Sequence, residues 1–181
     1  MPLLLIRHAQ SEGPAPAAGL TPAGEQAALA LAAPLKKLGV DAVYASPYVR
    51  AVSTVAPLAS LLSVQIGIVA GVRERDVRFF PAQEEFFAHV RRGIEEPGFK
   101  LEDEESFAEV AARALPAIDA VARAGHALPA IATHGQALTA VLRSCDPRFG
   151  FREWRALAMP QVILADWRGG KLASFRSVDL A

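Results

Sequence analysis

The feature that most constrains this chain is the run Leu3-Leu4-Leu5-Ile6, which turns abruptly polar at Arg7-His8 and breaks into the Gly/Pro/Ala-rich stretch from Gly13 to Gly19. So short an apolar run is a buried strand or a fragment of buried helix. It lacks the alternation of a strand with one wet face and fits a central strand of a parallel sheet, covered by helices on both sides. Such sheets bind ligands beyond the carboxyl ends of their strands, so Arg7 and His8 stand where chemistry is usually done.

Bulk properties narrow the classes further. The 181 residues suit one α/β domain, and a single domain over residues 1–181 is expected. With 52% hydrophobic and 21% charged residues, extended disorder is excluded. The 19 basic and 19 acidic side chains cancel, so no global basic field is available for nucleic acid or an anionic membrane, and neither is expected as a partner. No run approaches the roughly 18 consecutive apolar residues of a membrane span. Cys145 has no second cysteine to pair with, and the start lacks a basic segment and a small-residue cleavage site, which points to the cytoplasm.

Thr21-Pro22 with Glu25 opens a helix that runs to about Lys37 and ends at Gly39. Asp41 to Ala45 reads as a second strand, 48–62 as a helix with Arg50 in its first turn, and Val64 to Val69 as a third strand. From Val77 to Asp103 the composition changes, with Phe79, Phe80, Phe86, Phe87 and Phe99 set among Arg78, Arg91, Arg92 and several glutamates, and the segment reads as a lid-like insertion. Ser106 to Glu109 has capping-box spacing and opens a helix to about Ala124, in which Pro116 predicts a kink. Leu128 to Thr133 is a fourth strand, followed by a helix over 136–143, and Gln161 to Phe175 folds as a hairpin about Gly169-Gly170 at one side of the sheet. His89 and His126 belong to no motif and are expected to be solvated.

Strand-to-loop junctions thus carry Arg7-His8, Ser46 to Arg50, and Thr133-His134. If these strands are parallel and adjacent, two imidazoles and two guanidiniums surround one crevice. Guanidinium forks match phosphoryl oxygens, and an imidazole between them faces an electrophilic phosphorus. Metal binding fits less well, because a guanidinium beside each prospective ligand repels a cation and no HExxH or CxxC spacing is present.

Arg7-His8-Ala9-Gln10-Ser11-Glu12 resembles the Arg-His-Gly opening motif of the histidine phosphatase superfamily, whose best-known branch contains the cofactor-dependent phosphoglycerate mutases. Leu20-Thr21 with Gly24, Ser46-Pro47-Tyr48-Val49-Arg50-Ala51 with Thr54, Glu74, Glu105-Ser106 and Thr133-His134-Gly135 are similar to the family's later motifs, in order along nearly the whole chain. The resemblance implies a three-layer α/β/α sandwich with a mainly parallel central sheet. It implies His8 as the nucleophile that becomes phosphorylated, Arg7 and Arg50 as phosphate clamps, His134 as phosphate ligand and transition-state stabiliser, and Glu74 as proton donor to the leaving oxygen. Gln10 and Ser11 are candidates to hydrogen-bond the phosphate. Asp76, Glu84 and Glu85 lie near enough in sequence to take the place of Glu74. Ala9 replaces the usual glycine, which requires negative φ there, and Pro14 stands where many relatives carry an asparagine that touches the phosphate.

The resulting expectation is a metal-independent phosphomonoesterase of the histidine acid phosphatase type. It acts on a small phosphorylated substrate through a phosphohistidine and uses no metal or other cofactor. A mutase returning the phosphoryl group to an organic acceptor is the enzymatic alternative, and a phospho-ligand binding module with little turnover is the other. The lid phenylalanines are read first as the lid's own core; were they to face the crevice, they would favour a partly apolar leaving group.

Overall fold

In the computed structural model, which describes residues 1–180, β1 (Pro2–Arg7), β2 (Ala42–Ala45), β3 (Ile66–Ile68), β4 (Pro129–Thr133), β5 (Gln161–Arg168) and β6 (Lys171–Val178) form a six-stranded sheet. Its order is β3-β2-β4-β1-β5-β6, with the first four strands mutually parallel, β5 antiparallel to β1 and β6 antiparallel to β5. The expected α/β architecture with a mostly parallel sheet is therefore what the chain adopts.

The apolar run forms β1 because both of its faces are covered. Leu4 and Ile6 pack with Leu35 of α1 (Pro22–Lys37) and with Val55 and Leu58 of α2 (Val49–Leu62). Leu3 and Leu5 pack on the other side with Ile118 of α4 (Phe107–Ala122) and Leu138 of α5 (Gly135–Arg143). All four β1 side chains are at most 1% exposed, and burying each contributes about 2 kcal/mol. Thr21 caps α1 by accepting the Gly24 N–H, and Gly39, at φ +92°, lets the chain leave the helix. Ser106 and Glu109 form the reciprocal capping box of α4, which continues across Pro116 without interruption.

Two helices had no counterpart in the sequence reading: α3 (Gln83–Glu95), inside the supposed lid, and α6 (Phe151–Ala156). Val90 and Ile94 of α3 and Trp154 of α6 join Phe107 and Val110 of α4 and Ala137 and Ala140 of α5 in a separate cluster. The Phe86, Val90, Ile94 spacing is helical, but the surrounding charges obscure it. The third strand is shorter than expected, because only Ile66–Ile68 pair with β2 at the sheet edge. Among the described residues no helix is long and apolar enough to cross a membrane.

Candidate active site

The strand order β2-β4-β1, all parallel, brings Ser46 to Arg50, Thr133-His134 and Arg7-His8 to one end of the sheet. A cleft of about 760 Å³ opens there, lined at its floor by His8, Arg50 and Glu74. Ala9 has no positive φ, so the alanine is accommodated, and its N–H donates to Thr54 Oγ1 at 2.9 Å.

The hydrogen bonds of His8 define its tautomer. Its Nδ1 lies 2.7 Å from the Ala9 carbonyl, which can only accept, so Nδ1 carries the hydrogen and Nε2 carries the lone pair. Arg50 Nε donates to that Nε2 at 3.2 Å. Burial lowers the His8 pKa to about 4; the Ala9 carbonyl opposes the shift, and Arg50 and Arg7 add to it. The ring is therefore neutral at pH 7.

His134 stands at the residue preceding α5 and is fully buried, with its ring centroid 5.1 Å from that of His8. Its Nε2 lies 2.7 Å from Ser46 Oγ, which itself accepts the Tyr48 N–H at 3.3 Å. The Ser46 hydroxyl, with two lone pairs and one hydrogen, can pair with either tautomer of His134, whose Nδ1 is a buried atom with no partner in the protein. Burial, followed by the charges of His8, Arg50, Arg113 and Arg7, takes the His134 pKa down to about 2.

Arg7 and Arg50 are placed differently. Arg50 is 3% exposed and donates through Nη1 to the carbonyls of Pro14 and Ala15, at 3.0 and 2.9 Å. The backbone of Pro14 thus serves the site where no asparagine side chain is available. Arg7 stands behind the cleft wall, with Nη1 on the Leu157 carbonyl at 2.7 Å and a buried Nε that has no partner. Gly135 permits this packing, since a Cβ there would lie 3.3 Å from Arg7 Nε and 3.2 Å from Trp154 Nε1.

Glu74 lies across the start of α5. Its Oε1 accepts the N–H groups of Arg75 and Ala137, both at 2.9 Å, and its Oε2 accepts that of Gln136 at 3.2 Å. These bonds fix the carboxyl group against the helix N-terminus. Asp76 also lines the cleft, whereas Glu84 and Glu85 are exposed and do not. Gln10 and Ser11 line the cleft, but the Gln10 carbonyl and side chain are engaged by Thr21, and Ser11 Oγ donates to the Gly13 carbonyl at 3.2 Å. Gly24 lets α1 approach so closely that a Cβ would sit 2.1 Å from the Gln10 oxygen.

The segment above the floor departs from the sequence reading. Phe79, Phe80 and Phe86 line the cleft, while Phe87 packs into the aromatic core against Trp154 and Phe151, and Phe86 does both, with its ring also against those of Trp154 and Phe87. His89 is not solvated: it is 7% exposed, its Nε2 lies 2.9 Å from Glu104 Oε2, and burial lowers its pKa against the opposing effect of Glu104. Helix α3 turns it inward between Phe80 and Phe99. His126 is half-buried and bonds Tyr44 Oη at 2.9 Å. Arg75, 3% exposed, joins this cluster to the floor by bonding Gln136 Oε1 at 3.2 Å and the Glu105 carbonyl at 2.6 Å. Glu105 receives bidentate pairs from both Arg73 and Arg113 and the N–H of Asp76. Burial disfavours its charge, yet these donors prevail and hold its pKa at about 2. The sequence reading missed Gln136, Arg75 and Glu104. Gln136 had a signal, because it follows His134-Gly135 in the first turn of the helix. Among the described residues no three His, Cys, Asp or Glu side chains converge closely enough to hold a metal ion.

A parallel-sheet fold with paired imidazoles at its strand ends is matched by a family of known proteins. The model of the histidine phosphatase superfamily (branch 1) matches residues 3–173, and the chain belongs to that superfamily. A search of curated proteins returned no significant match. Among solved structures, a mycobacterial glucosyl-3-phosphoglycerate phosphatase with inorganic phosphate is similar at 17% identity and a TM-score of 0.78, over 98% of this chain and 95% of that one. Phosphoserine phosphatase from Entamoeba histolytica, in complex with 3-phosphoglyceric acid, is similar at 20% identity and a TM-score of 0.76, over 99% and 98%. YhfR from Bacillus stearothermophilus is similar at 20% identity and a TM-score of 0.76, over 94% and 93%. At these identities the likeness is one of fold.

Proposed function

We propose that the chain is a metal-independent phosphomonoesterase that works through a phosphohistidine on His8. The observation that carries this reading is the hydrogen bonding of His8: Nδ1 is committed to the Ala9 carbonyl at 2.7 Å, so the lone pair sits on Nε2, beside the Arg50 guanidinium. Phosphatase activity among the similar structures supports it.

In the first step the Arg50 Nε–H turns from His8 Nε2 to a phosphoryl oxygen, the freed Nε2 lone pair attacks phosphorus, and the bond from phosphorus to the ester oxygen breaks. Glu74 gives a proton to the departing oxygen. In the second, water attacks the phosphohistidine, Glu74 takes the water's proton, and the nitrogen–phosphorus bond breaks to restore neutral His8. Arg50 faces the charge that develops on the transferring oxygens, Arg7 adds its positive charge from behind the cleft wall, and His134 packs beside the His8 ring; such preorganised groups carry much of the rate in phosphoryl transfer. Gln10 and Ser11 border the phosphate subsite. Residues 77–103 act as a cap on the same domain and wall the cleft above the phosphohistidine.

The test is turnover of an aryl phosphate in excess chelator by wild type and His8→Ala, with trapping of the intermediate. Wild type should retain activity and accumulate an acid-labile, alkali-stable phosphoryl group on His8, and the variant should lose both. Full activity in His8→Ala, or activity lost to chelator and restored by a divalent ion, overturns the reading.

A further inference from the structure

We infer that the cleft selects phosphomonoesters with one phosphate and an uncharged, largely apolar leaving group, through a wall formed by Phe79, Phe80 and Phe86 of the cap. The inference rests on the phosphomonoesterase reading and specifies its substrate class.

Space is the first consideration. A cleft of about 760 Å³ lies in the range that takes organic ligands of some size, about 300–1,000 Å³, and a phosphoryl group alone would leave most of it empty. The second is the chemistry of the upper wall. Phe80 is packed on Phe86 and His89, at centroid distances of 5.9 and 4.7 Å, and so presents a fixed aromatic surface. Phe79 beside it is 84% exposed, and Met159 across the cleft is 45% exposed. Large apolar side chains held open to water beside a reacting centre mark a surface that a ligand covers.

The third consideration is charge. The guanidiniums lining the cleft are those of Arg50, Arg75 and Arg78, and no lysine joins them. Arg50 serves the phosphate. Arg75 is spent on Gln136, Glu105 and the buried Glu104 cluster, and Arg78 is paired with Glu104 at 3.3 Å. Arg91 and Arg92 lie over the rings of Phe151 and Phe99 and do not line the cleft. Asp76 does line it and repels a second anion. A carboxylate or second phosphate on the substrate therefore finds only Arg78, whose charge is already shared with Glu104, and has Asp76 against it, whereas an alkyl or aryl group finds matching surface.

The experiment uses phenyl phosphates bearing 4-alkyl chains from hydrogen to hexyl, in which leaving-group acidity is nearly constant while apolar bulk grows, with 4-carboxyphenyl phosphate as the charged member. In wild type, kcat/KM should rise about two- to fourfold per methylene until the cleft is filled. The carboxylated ester should fall below the parent. Phe79→Ala, at an exposed position, should cut the hexyl-to-parent ratio by about tenfold, and so should Phe86→Ala once its unfolding midpoint shows an intact fold. A flat series, a preference for the carboxylated ester, or a slope that survives in both variants overturns the inference while leaving the phosphatase reading standing. No turnover of any member by wild type overturns that reading, and this inference with it.

Discussion

At the floor of the cleft, His8 and His134 are buried beside guanidiniums and kept neutral, whereas at the base of the cap Glu104 and Glu105 are each met by arginine donors and kept charged. The floor thus holds groups whose electrostatic demands are incompletely met by the protein, with Arg7 Nε and His134 Nδ1 lacking partners. The clamp at the base of the cap has its demands met internally: Glu105 accepts from Arg73, Arg113 and the Asp76 N–H. Unsatisfied polar groups suit a region that must receive a ligand, and saturated ion pairs suit one that must hold a loop in place.

Glu74 sits where the two regions meet, and replacing it should give the largest contrast. In Glu74→Gln the amide keeps the side chain's size but has no acid proton to transfer, so esters with poor alkoxide leaving groups should slow by about 10²- to 10⁴-fold. Aryl phosphates, whose leaving groups depart without help, should slow far less. Steady-state rates on a matched alkyl and aryl pair decide it. Equal slowing of both would assign Glu74 to structure, and an unaffected variant would transfer the role to Asp76.

Removing the clamp carboxylate should act on stability instead of chemistry. Glu105→Ala leaves Arg73 and Arg113 facing one another without their shared partner. A carboxylate whose side chain is 18% exposed places the cost near the lower end of the range for a broken buried pair, about 3 kcal/mol. Urea unfolding at pH 7 measures it. A stability loss under about 1 kcal/mol combined with abolished turnover would place Glu105 in the floor's chemistry and dissolve the contrast.

The same division governs what the sequence disclosed. His8, Arg50 and His134 were legible because each follows a short apolar strand, and parallel pairing of β2, β4 and β1 carries such junctions to one end of the sheet. What no local pattern revealed was how Arg7 is turned: its guanidinium goes to the Leu157 carbonyl, a contact across 150 residues, and not into the cleft. The cap was legible only as a change of composition. Arg75 and His89 meet across 14 residues, and Glu104 joins them from beyond α3, so their partnership exists only once that helix has folded onto α4 and α5. The inward face of α3 also reversed the expectation for His89, because helix rotation, which a charged sequence conceals, decides which residues see water.

A smaller effect separates the regions by pH. The unfolded chain takes up a proton on His8 near pH 6.5, while the folded chain resists it until about pH 4. Between those values the unfolded state binds more protons, so stability falls as pH falls and the loss levels off below about pH 4. From pH 7 to pH 5 this amounts to about 2 kcal/mol from His8, and His134, held at about 2, adds to the same slope. Glu105 acts with the same sign in a lower window: its pKa is lowered from 4.5 to about 2, so its stabilisation is present above about pH 4.5, is lost as pH falls from there through about 2, and contributes almost nothing between pH 5 and 7. His89 in the cap is also lowered by burial, but Glu104 at 2.9 Å offsets part of the shift, so it contributes less than His8. Urea unfolding from pH 5 to 7 on wild type, His8→Asn and His89→Asn resolves the contributions. The slope should flatten by about 2 kcal/mol over that interval in His8→Asn and by less in His89→Asn. A larger flattening in His89→Asn would show that the strained, neutral imidazole belongs to the cap, and that the floor is electrostatically as well satisfied as the clamp above it.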